Sequence, residues 1–447
     1  MNLNDYYGRR LLVGRDDTSR DHFPALQVLP TIEVGPAMIR CLRCNHQTPK
    51  TVAALPRGEY YCPHCINLGR VSTLTKFYHV PEPNQFSPVK PVLTWQGTLS
   101  PFQQRAAEAV KEGMKRHCHQ LLWAVTGAGK TEMMFAGIAA ALERGERVAI
   151  ASPRVDVCGE LYPRLQAAFA NCQVVLLHGH QPTPYRYAQL TICTTHQLLR
   201  FYRAFDNLII DEVDAFPYAA NPALLFATRQ ALKKDGGCLY LTATPGETLL
   251  REVRRHRLTV NYLPLRYHGE LLPTIKLRLA INWRKQVKRQ RISQGIIRQL
   301  RTSLLQGHRF LLFVPHVADL APAEKALRKN FTAEKFTTVH ATDPDRMTKV
   351  QQMRDGQYDF LITSTILERG VTFAGIDVYV LGADDEVFSS SALVQIAGRA
   401  GRSPQRPTGN VVFWIAGNCR NVRQAVAQIR LMNRKGRKLK SELSSLQ

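Results

Sequence analysis

The segment from Leu121 to Leu142 constrains this chain more than any other. The apolar run Leu121-Leu-Trp-Ala-Val-Thr126 reads as a buried strand. It leads into Gly127-Ala-Gly-Lys-Thr131 and then a helical pattern from Glu132 to Leu142. Strand, glycine loop and helix N-terminus in that order form a P-loop, because backbone N–H groups and the helix dipole converge on one anion. Thr126, Gly127, Ala128 and Gly129 would wrap the phosphates. Lys130 would reach the β- and γ-phosphates, and Thr131 would hold Mg²⁺. Ala124 stands where the general pattern has its first glycine, but Gly127 and Gly129 still serve the turn. The expected ligand is ATP with Mg²⁺.

Downstream, the apolar stretch Asn207-Leu-Ile-Ile ends in Asp211-Glu-Val-Asp214. Asp211 sits where a Walker B aspartate holds Mg²⁺, and Glu212 is placed to orient and deprotonate the attacking water. A fold that only bound nucleotide would not need Glu212, so hydrolysis is expected. Upstream, Ser100 to Arg116 reads as an amphipathic helix, with Ser100 as N-cap and Pro101 at its first position. Gln103 in that helix is either an adenine-reading residue or a solvated one.

Four cysteines form a second constellation. Cys41-Leu-Arg-Cys44 is followed after seventeen residues by Cys62-Pro-His-Cys65. Each C-x2-C turn sets two thiolates on one side of a knuckle, and two knuckles close a tetrahedron around Zn²⁺. Four thiolates leave no open ligand position, so the site is expected to be structural despite the nearby His46 and His64. Arg40, Arg43 and Arg70 would offset the thiolate charge. The other six cysteines, Cys118, Cys158, Cys172, Cys193, Cys238 and Cys419, read as buried small hydrophobes. The proline-rich stretch Val80–Pro91 reads as a stiff linker, with a domain boundary near residue 95.

Charge points to the partner. Among 447 residues, 60 Lys and Arg face 35 Asp and Glu, a net +25. A chain this basic suits a polyanion, nucleic acid first and an anionic membrane surface second. From Leu271 to Ala318 there are ten basic residues and no acid; from Arg420 to Lys440 there are eight and no acid. Both are candidate electrostatic tracks, and the second equally suits DNA or anionic lipid. The sequence has no apolar run long enough to span a membrane and no secretory leader pattern, so a cytoplasmic location is expected.

Further motifs follow in order: Tyr240-Leu-Thr-Ala-Thr-Pro245, Phe310-Leu-Leu-Phe-Val-Pro-His316, Phe360-Leu-Ile-Thr-Ser-Thr-Ile-Leu-Glu-Arg-Gly370 and Gln395-Ile-Ala-Gly-Arg-Ala-Gly-Arg402. With the P-loop and Asp-Glu-Val-Asp, they resemble the motifs of superfamily 2 helicases over roughly residues 95–420. That resemblance implies an α/β fold of two tandem RecA-like domains, each a parallel sheet flanked by helices, preceded by the small zinc module. The boundaries expected are 1–95, 96–262, 263–420 and a basic tail, 421–447. It implies that Arg399 and Arg402 act as arginine fingers and that Gln395 lies at the nucleotide. Thr242 and Thr244 would couple hydrolysis to motion. Pro153, Arg154, Thr194, Thr195, Pro315, His316 and Thr365 would touch the nucleic-acid backbone.

The zinc knuckles ahead of the P-loop, Asp-Glu-Val-Asp-Ala-Phe-Pro, Thr-Ile-Leu-Glu-Arg-Gly-Val-Thr and the joining Leu263-Pro-Leu-Arg-Tyr-His-Gly narrow the resemblance to the ComFA family. It implies a single-stranded-DNA-stimulated ATPase that powers DNA uptake at the cytoplasmic mouth of a membrane channel. A phosphoribosyltransferase-like competence partner and a homo-oligomeric ring are further implications. A PriA-like helicase is a rival, although its cysteines lie between the helicase lobes and here no cysteine pair follows Cys238. A DEAD-box RNA helicase and a non-catalytic DNA- and nucleotide-binding scaffold are the others. The intact set Lys130, Thr131, Asp211, Glu212, Arg399 and Arg402 weighs against the scaffold.

Overall fold

The apolar runs read as buried strands become the centres of two sheets. In β7 (Gln120–Ala124), β8 (Val148–Ser152), β10 (Leu190–Thr194) and β11 (Phe205–Ile210) every residue is buried. This is the signature of strands covered by helices on both faces. The computed structural model describes residues 2–19, 22–179, 185–368 and 373–445. Arg369, Gly370, Val371 and Thr372, the end of Thr-Ile-Leu-Glu-Arg-Gly-Val-Thr, lie outside the described residues.

Contacts divide the chain into two units. Unit 1 comprises Met1–Trp123 and Lys130–Tyr262; unit 2 comprises Ala124–Gly129 and Leu263–Gln447. In unit 1 the N-terminal region forms two small antiparallel sheets. One pairs β1 (Leu11–Gly14) and β2 (Gln27–Leu29) with β6 (Thr75–His79). The other is β3 (Ile32–Val34), β4 (Met38–Cys41) and β5 (Gln47–Pro49).

The large sheet adds β9 (Val174–Leu177), β12 (Leu232–Thr242) and β13 (Thr259–Leu263), in the order β13-β7-β12-β11-β8-β10-β9. From β7 to β9 the neighbours pair in parallel. The strands β7, β12 and β11 are therefore adjacent and point the same way. Their carboxyl ends carry the glycine loop, Thr242 and Asp211. Parallel α/β sheets place ligand chemistry along such an edge.

The helix Pro101–Lys115 begins as its sequence suggests. Ser100 is the N-cap and Pro101 opens the first turn. Gln103 is neither solvated nor open at its amide oxygen. It is buried, and that oxygen accepts the Ser100 N–H at 3.0 Å and the Ser100 hydroxyl at 2.9 Å. The P-loop helix spans Lys130–Glu143.

The proline-rich stretch is packed along unit 1 and is no free spacer. The Glu82 side chain is fully buried, paired with the equally buried Arg147, and accepts from the Tyr187 hydroxyl. Asn84 donates to Asp206 at 3.0 Å, and Phe86 stacks on Tyr187 with ring centroids 4.9 Å apart. Of the six isolated cysteines, Cys158, Cys193 and Cys238 are buried as expected, whereas Cys118, Cys172 and Cys419 are half-exposed.

Unit 2 holds β14 (Ile275–Leu279), β15 (Phe310–Phe313), β16 (Phe336–Val339), β17 (Phe360–Thr363), β18 (Asp377–Leu381) and β19 (Val411–Ile415). They form a fully parallel sheet in the order β14-β19-β18-β15-β17-β16. The basic tail is a helix, Arg420–Ser444, that buries Val422, Ala425, Ile429 and Met432 at helical spacing. Asn433 fastens it: its amide accepts the Leu272 N–H at 2.9 Å and donates to the Leu272 carbonyl at 3.0 Å. Among the described residues, no helix is long and apolar enough to cross a membrane.

Candidate nucleotide site and zinc centre

In the glycine loop, Gly127 and Gly129 adopt φ of +78° and +75°. Side chains with a Cβ resist that region, so these two positions let the backbone turn its N–H groups inward. Lys130 and Thr131 begin the following helix. The Lys130 Nζ lies 3.5 Å from Asp211 Oδ1, so the two motifs meet at one point of the sheet edge. Thr126, Ala128, Thr131 and Asp211 are buried. Asp211 also accepts the Glu212 N–H at 2.8 Å, and Glu212 itself adopts φ +52°. This donor set fits a nucleoside triphosphate: a cation for the terminal phosphates, with Thr131 and Asp211 offering hard oxygens to Mg²⁺.

The Thr-Ala-Thr motif is tied to the same edge. Asp214 accepts from the Thr242 hydroxyl and from the Thr244 hydroxyl, each at 2.5 Å. Thr242 Oγ1 also accepts the Thr244 N–H at 2.9 Å. The segment Asp211–Asp214 is thus tied by hydrogen bonds to the end of β12. Beyond its place in Asp211-Glu-Val-Asp214 the sequence carries no signal for the partners of Asp214, which the fold clasps between two hydroxyls.

In unit 2, Gln395 and Arg399 are buried, and Arg399 Nε donates to the Glu368 carbonyl at 3.0 Å. Arg402, half-buried with φ +65°, donates from Nε to the Gly398 carbonyl at 2.8 Å. Burial lowers Arg402 to about 10.

The residues expected at the nucleic-acid backbone differ in exposure. Pro153, Thr194, Thr195 and Pro315 are buried, Arg154 and Thr365 are half-buried, and His316 is exposed. Arg154 is paired with Asp156 at 2.6 Å, and His316 Nε2 lies 3.2 Å from Asp385. Within the acid-free segment, Lys276, Arg278, Lys285, Lys288, Arg289, Arg291, Arg298 and Arg301 are exposed. Arg284 is engaged by Asp319 and Asp385, and Arg309 by the Met353 carbonyl.

The four thiols of Cys41, Cys44, Cys62 and Cys65 are buried and lie within 4.8 Å of one another. Neighbouring sulfurs are 3.8 Å (Cys41–Cys65), 3.6 Å (Cys44–Cys62) and 3.7 Å (Cys62–Cys65) apart. A tetrahedron with Zn–S of ~2.3 Å has edges of about 3.8 Å, so the donor set fits Zn²⁺. His46 stacks on His64 with centroids 4.1 Å apart and places Nδ1 3.4 Å from Cys44 Sγ.

Arg43 is buried and donates to the Cys65 and Leu68 carbonyls at 2.6 and 3.0 Å. Arg40 instead pairs outward with Glu33. A contributor without a sequence signal is Arg10, which reaches 32 positions along the chain to the Leu42 carbonyl at 2.6 Å. Burial lowers it to about 10.

With this geometry in place, likeness to known proteins is informative. Residues 100–252 match the DEAD/DEAH box helicase family, and residues 292–404 match the helicase conserved C-terminal domain. Among solved structures, the DEAD-box helicase Mss116 bound to single-stranded RNA and UDP-BeF is similar at TM-score 0.53. Its identity is 14%, covering 71% of this chain and 70% of that one. RecG bound to a three-way DNA junction is similar at TM-score 0.51 and 18% identity, covering 76% and 45%. At these identities the likeness speaks for the fold alone, two RecA-like sheets.

Competence protein ComFA of Streptococcus pneumoniae is 38% identical over 435 residues, covering 97% of this chain and 99% of that protein. Competence protein ComFA of Bacillus subtilis is 41% identical over 406 residues, covering 90% and 87%. The chain belongs to the ComFA family and is an ATPase of the helicase superfamily.

Proposed function

We propose that this protein is a single-stranded-DNA-stimulated ATPase that moves along DNA and drives uptake of transforming DNA from the cytoplasmic face of the membrane. The observation that carries this reading is the sheet edge in unit 1. Lys130 and Asp211 meet at 3.5 Å, and Asp214 is clasped by Thr242 and Thr244 in the adjacent strand.

In this reading Lys130 and the glycine-loop N–H groups hold the β- and γ-phosphates. Glu212 takes the proton of the attacking water. Thr131 and Asp211 hold the metal, which neutralises phosphate charge. Arg399 and Arg402 neutralise charge on the transferring phosphoryl group, a contribution of ~10³–10⁵ in rate for an arginine finger. The Asp214 clasp carries strand-end movement toward the DNA.

The exposed cations of 276–301 and of the helix Arg420–Ser444 supply sequence-independent backbone attraction, which salt should weaken. The zinc centre is structural. Family membership supports a phosphoribosyltransferase-like partner, a homo-oligomeric ring and attachment at a membrane DNA channel through partners.

The test is steady-state ATP hydrolysis with Mg²⁺ and no polymer, single-stranded DNA, duplex DNA or RNA. Stimulation by single-stranded DNA well above the others is expected. RNA-selective stimulation would replace DNA uptake with an RNA helicase reading. No hydrolysis under any condition would favour a scaffold.

A further inference from the structure

Arg266 lies in the stretch Leu263–Gly269 that joins the two halves of the sequence. It is fully buried, at 0% exposure. Its guanidinium grips the loop that carries Arg399 and Arg402. Nη1 donates to the Ala400 carbonyl at 2.7 Å and to the Pro407 carbonyl at 3.0 Å, and Nη2 donates to the Gly398 carbonyl at 3.1 Å.

The Gly398 carbonyl is also the one that accepts Arg402 Nε at 2.8 Å. The two arginines therefore share an acceptor, and the position of one fixes that of the other. At Gly401, where φ is +76°, a Cβ would stand 2.4 Å from the Pro407 carbonyl and 3.0 Å from Arg266 Nη1. The turn is packed directly around this guanidinium.

Charge adds a second observation. A buried cation normally has an anionic partner. Among the described residues, Arg266 and Arg402 have carbonyl oxygens instead. Burial, and next the charge of Arg402, bring Arg266 down to about 9. Two neighbouring cations met by carbonyl dipoles make a site that a polyanion would balance. A planar fork that serves three carbonyls is a task for arginine; a lysine ammonium is a compact point donor without that fork.

We propose that Arg266 is a positioning residue for hydrolysis. It sets the backbone of Gly398–Gly401 so that Arg402 is presented to the terminal phosphate, and it adds a second positive charge that the bound triphosphate balances. This rests on the reading of Arg402 as a phosphate-contacting arginine.

The test uses the full chain with Arg266→Lys, Arg266→Ala and, in parallel, Arg402→Ala. Melting temperatures come first; if Arg266→Ala fails to fold, Arg266→Lys carries the test. Two quantities are then read with single-stranded DNA present: kcat and KM for ATP, and affinity for ADP with and without beryllium fluoride as terminal-phosphate mimic.

Both Arg266 variants are expected to lower kcat at least ~10-fold, below the ~10³ or more expected for a finger itself. KM should stay within about two-fold. Affinity for the beryllium fluoride complex should fall along with kcat, while ADP affinity is retained. Parental kcat in Arg266→Lys would overturn the proposal. A joint fall of kcat, ADP affinity and melting temperature would also overturn it, by reducing Arg266 to a fold support. If Arg402→Ala itself hydrolyses at the parental rate, the finger reading fails and this inference with it. If Arg402→Ala is silent while Arg266→Lys is parental, only the positioning role fails.

Discussion

The carboxyl edge of β11 and β12 in unit 1 and the turn Gly398–Arg402 in unit 2 solve the problem of buried polar groups in opposite ways. In unit 1 the charge is met locally: Lys130 faces Asp211, and Asp214 receives two hydroxyls. In unit 2 Arg266 and Arg402 are met by backbone carbonyls. The first edge meets these groups with side chains. The second carries surplus positive charge. A pair of groups already satisfied stabilises the fold, whereas a surplus held in place by dipoles is poised for a ligand of opposite sign.

The sharpest way to break this contrast is to remove a member of the first edge. Lys130→Ala is expected to lower hydrolysis by ~10³ or more while DNA binding persists. Parental turnover would show that the meeting of Lys130 with Asp211 is structural only. Glu212→Gln should bind ATP and DNA yet stall turnover, as read by single-turnover product formation.

Next in size is a purely structural pair in unit 1. Glu82→Ala leaves the fully buried Arg147 without its carboxylate, and a loss of about 3–5 kcal/mol in chemical denaturation is expected. A negligible loss would mean that tyrosines and carbonyls suffice for a buried arginine even in unit 1, which would erase the contrast with Arg266.

A smaller effect concerns pH. His79 is 2% exposed, its Nδ1 lies 3.0 Å from the Arg9 carbonyl, and burial lowers its pKa from 6.5 to about 4. The fold therefore holds it neutral, while the unfolded chain protonates it more readily. Its contribution is whole above pH 6.5 and is lost as pH falls toward about 4, a total of about 3 kcal/mol. His79→Gln should flatten that part of the stability profile; an unchanged profile would place the acid lability elsewhere. Smallest is the charge-track effect. Reversing Lys288, Arg289 and Arg291 should shallow the slope of log K against log salt by roughly the number of phosphates they neutralise. An unaltered slope would make them solvated surface.

The legible parts of the molecule were those whose partners are close in sequence or whose spacing carries chemistry. The P-loop, the Asp211–Asp214 cluster, the four cysteines and the Ser100–Pro101 helix start are of this kind. Arg266 was not legible, because its acceptors lie 132, 134 and 141 residues away. The same holds for Arg147 with Glu82, 65 apart, and for Arg10 beside the zinc knuckle.

Composition also hid structure. The basic residues of 420–440 masked the apolar spacing of Val422, Ala425, Ile429 and Met432, so a docked helix read as a tail. Within 271–318 the charge count could not tell exposed Lys288 from Arg284, whose two aspartates come from distant segments. Zinc removal completes the picture: Cys62→Ala should lower metal content and soluble yield, with unchanged zinc by elemental analysis contradicting the four-thiolate site.

The most direct measurement of ATP-driven movement is stopped-flow translocation on single-stranded DNA of increasing length, read by a fluorophore at one end. A lag that lengthens in proportion to the strand, vanishes without ATP and is absent in Lys130→Ala is expected. A signal independent of length, at full ATP turnover, would contradict movement along the strand.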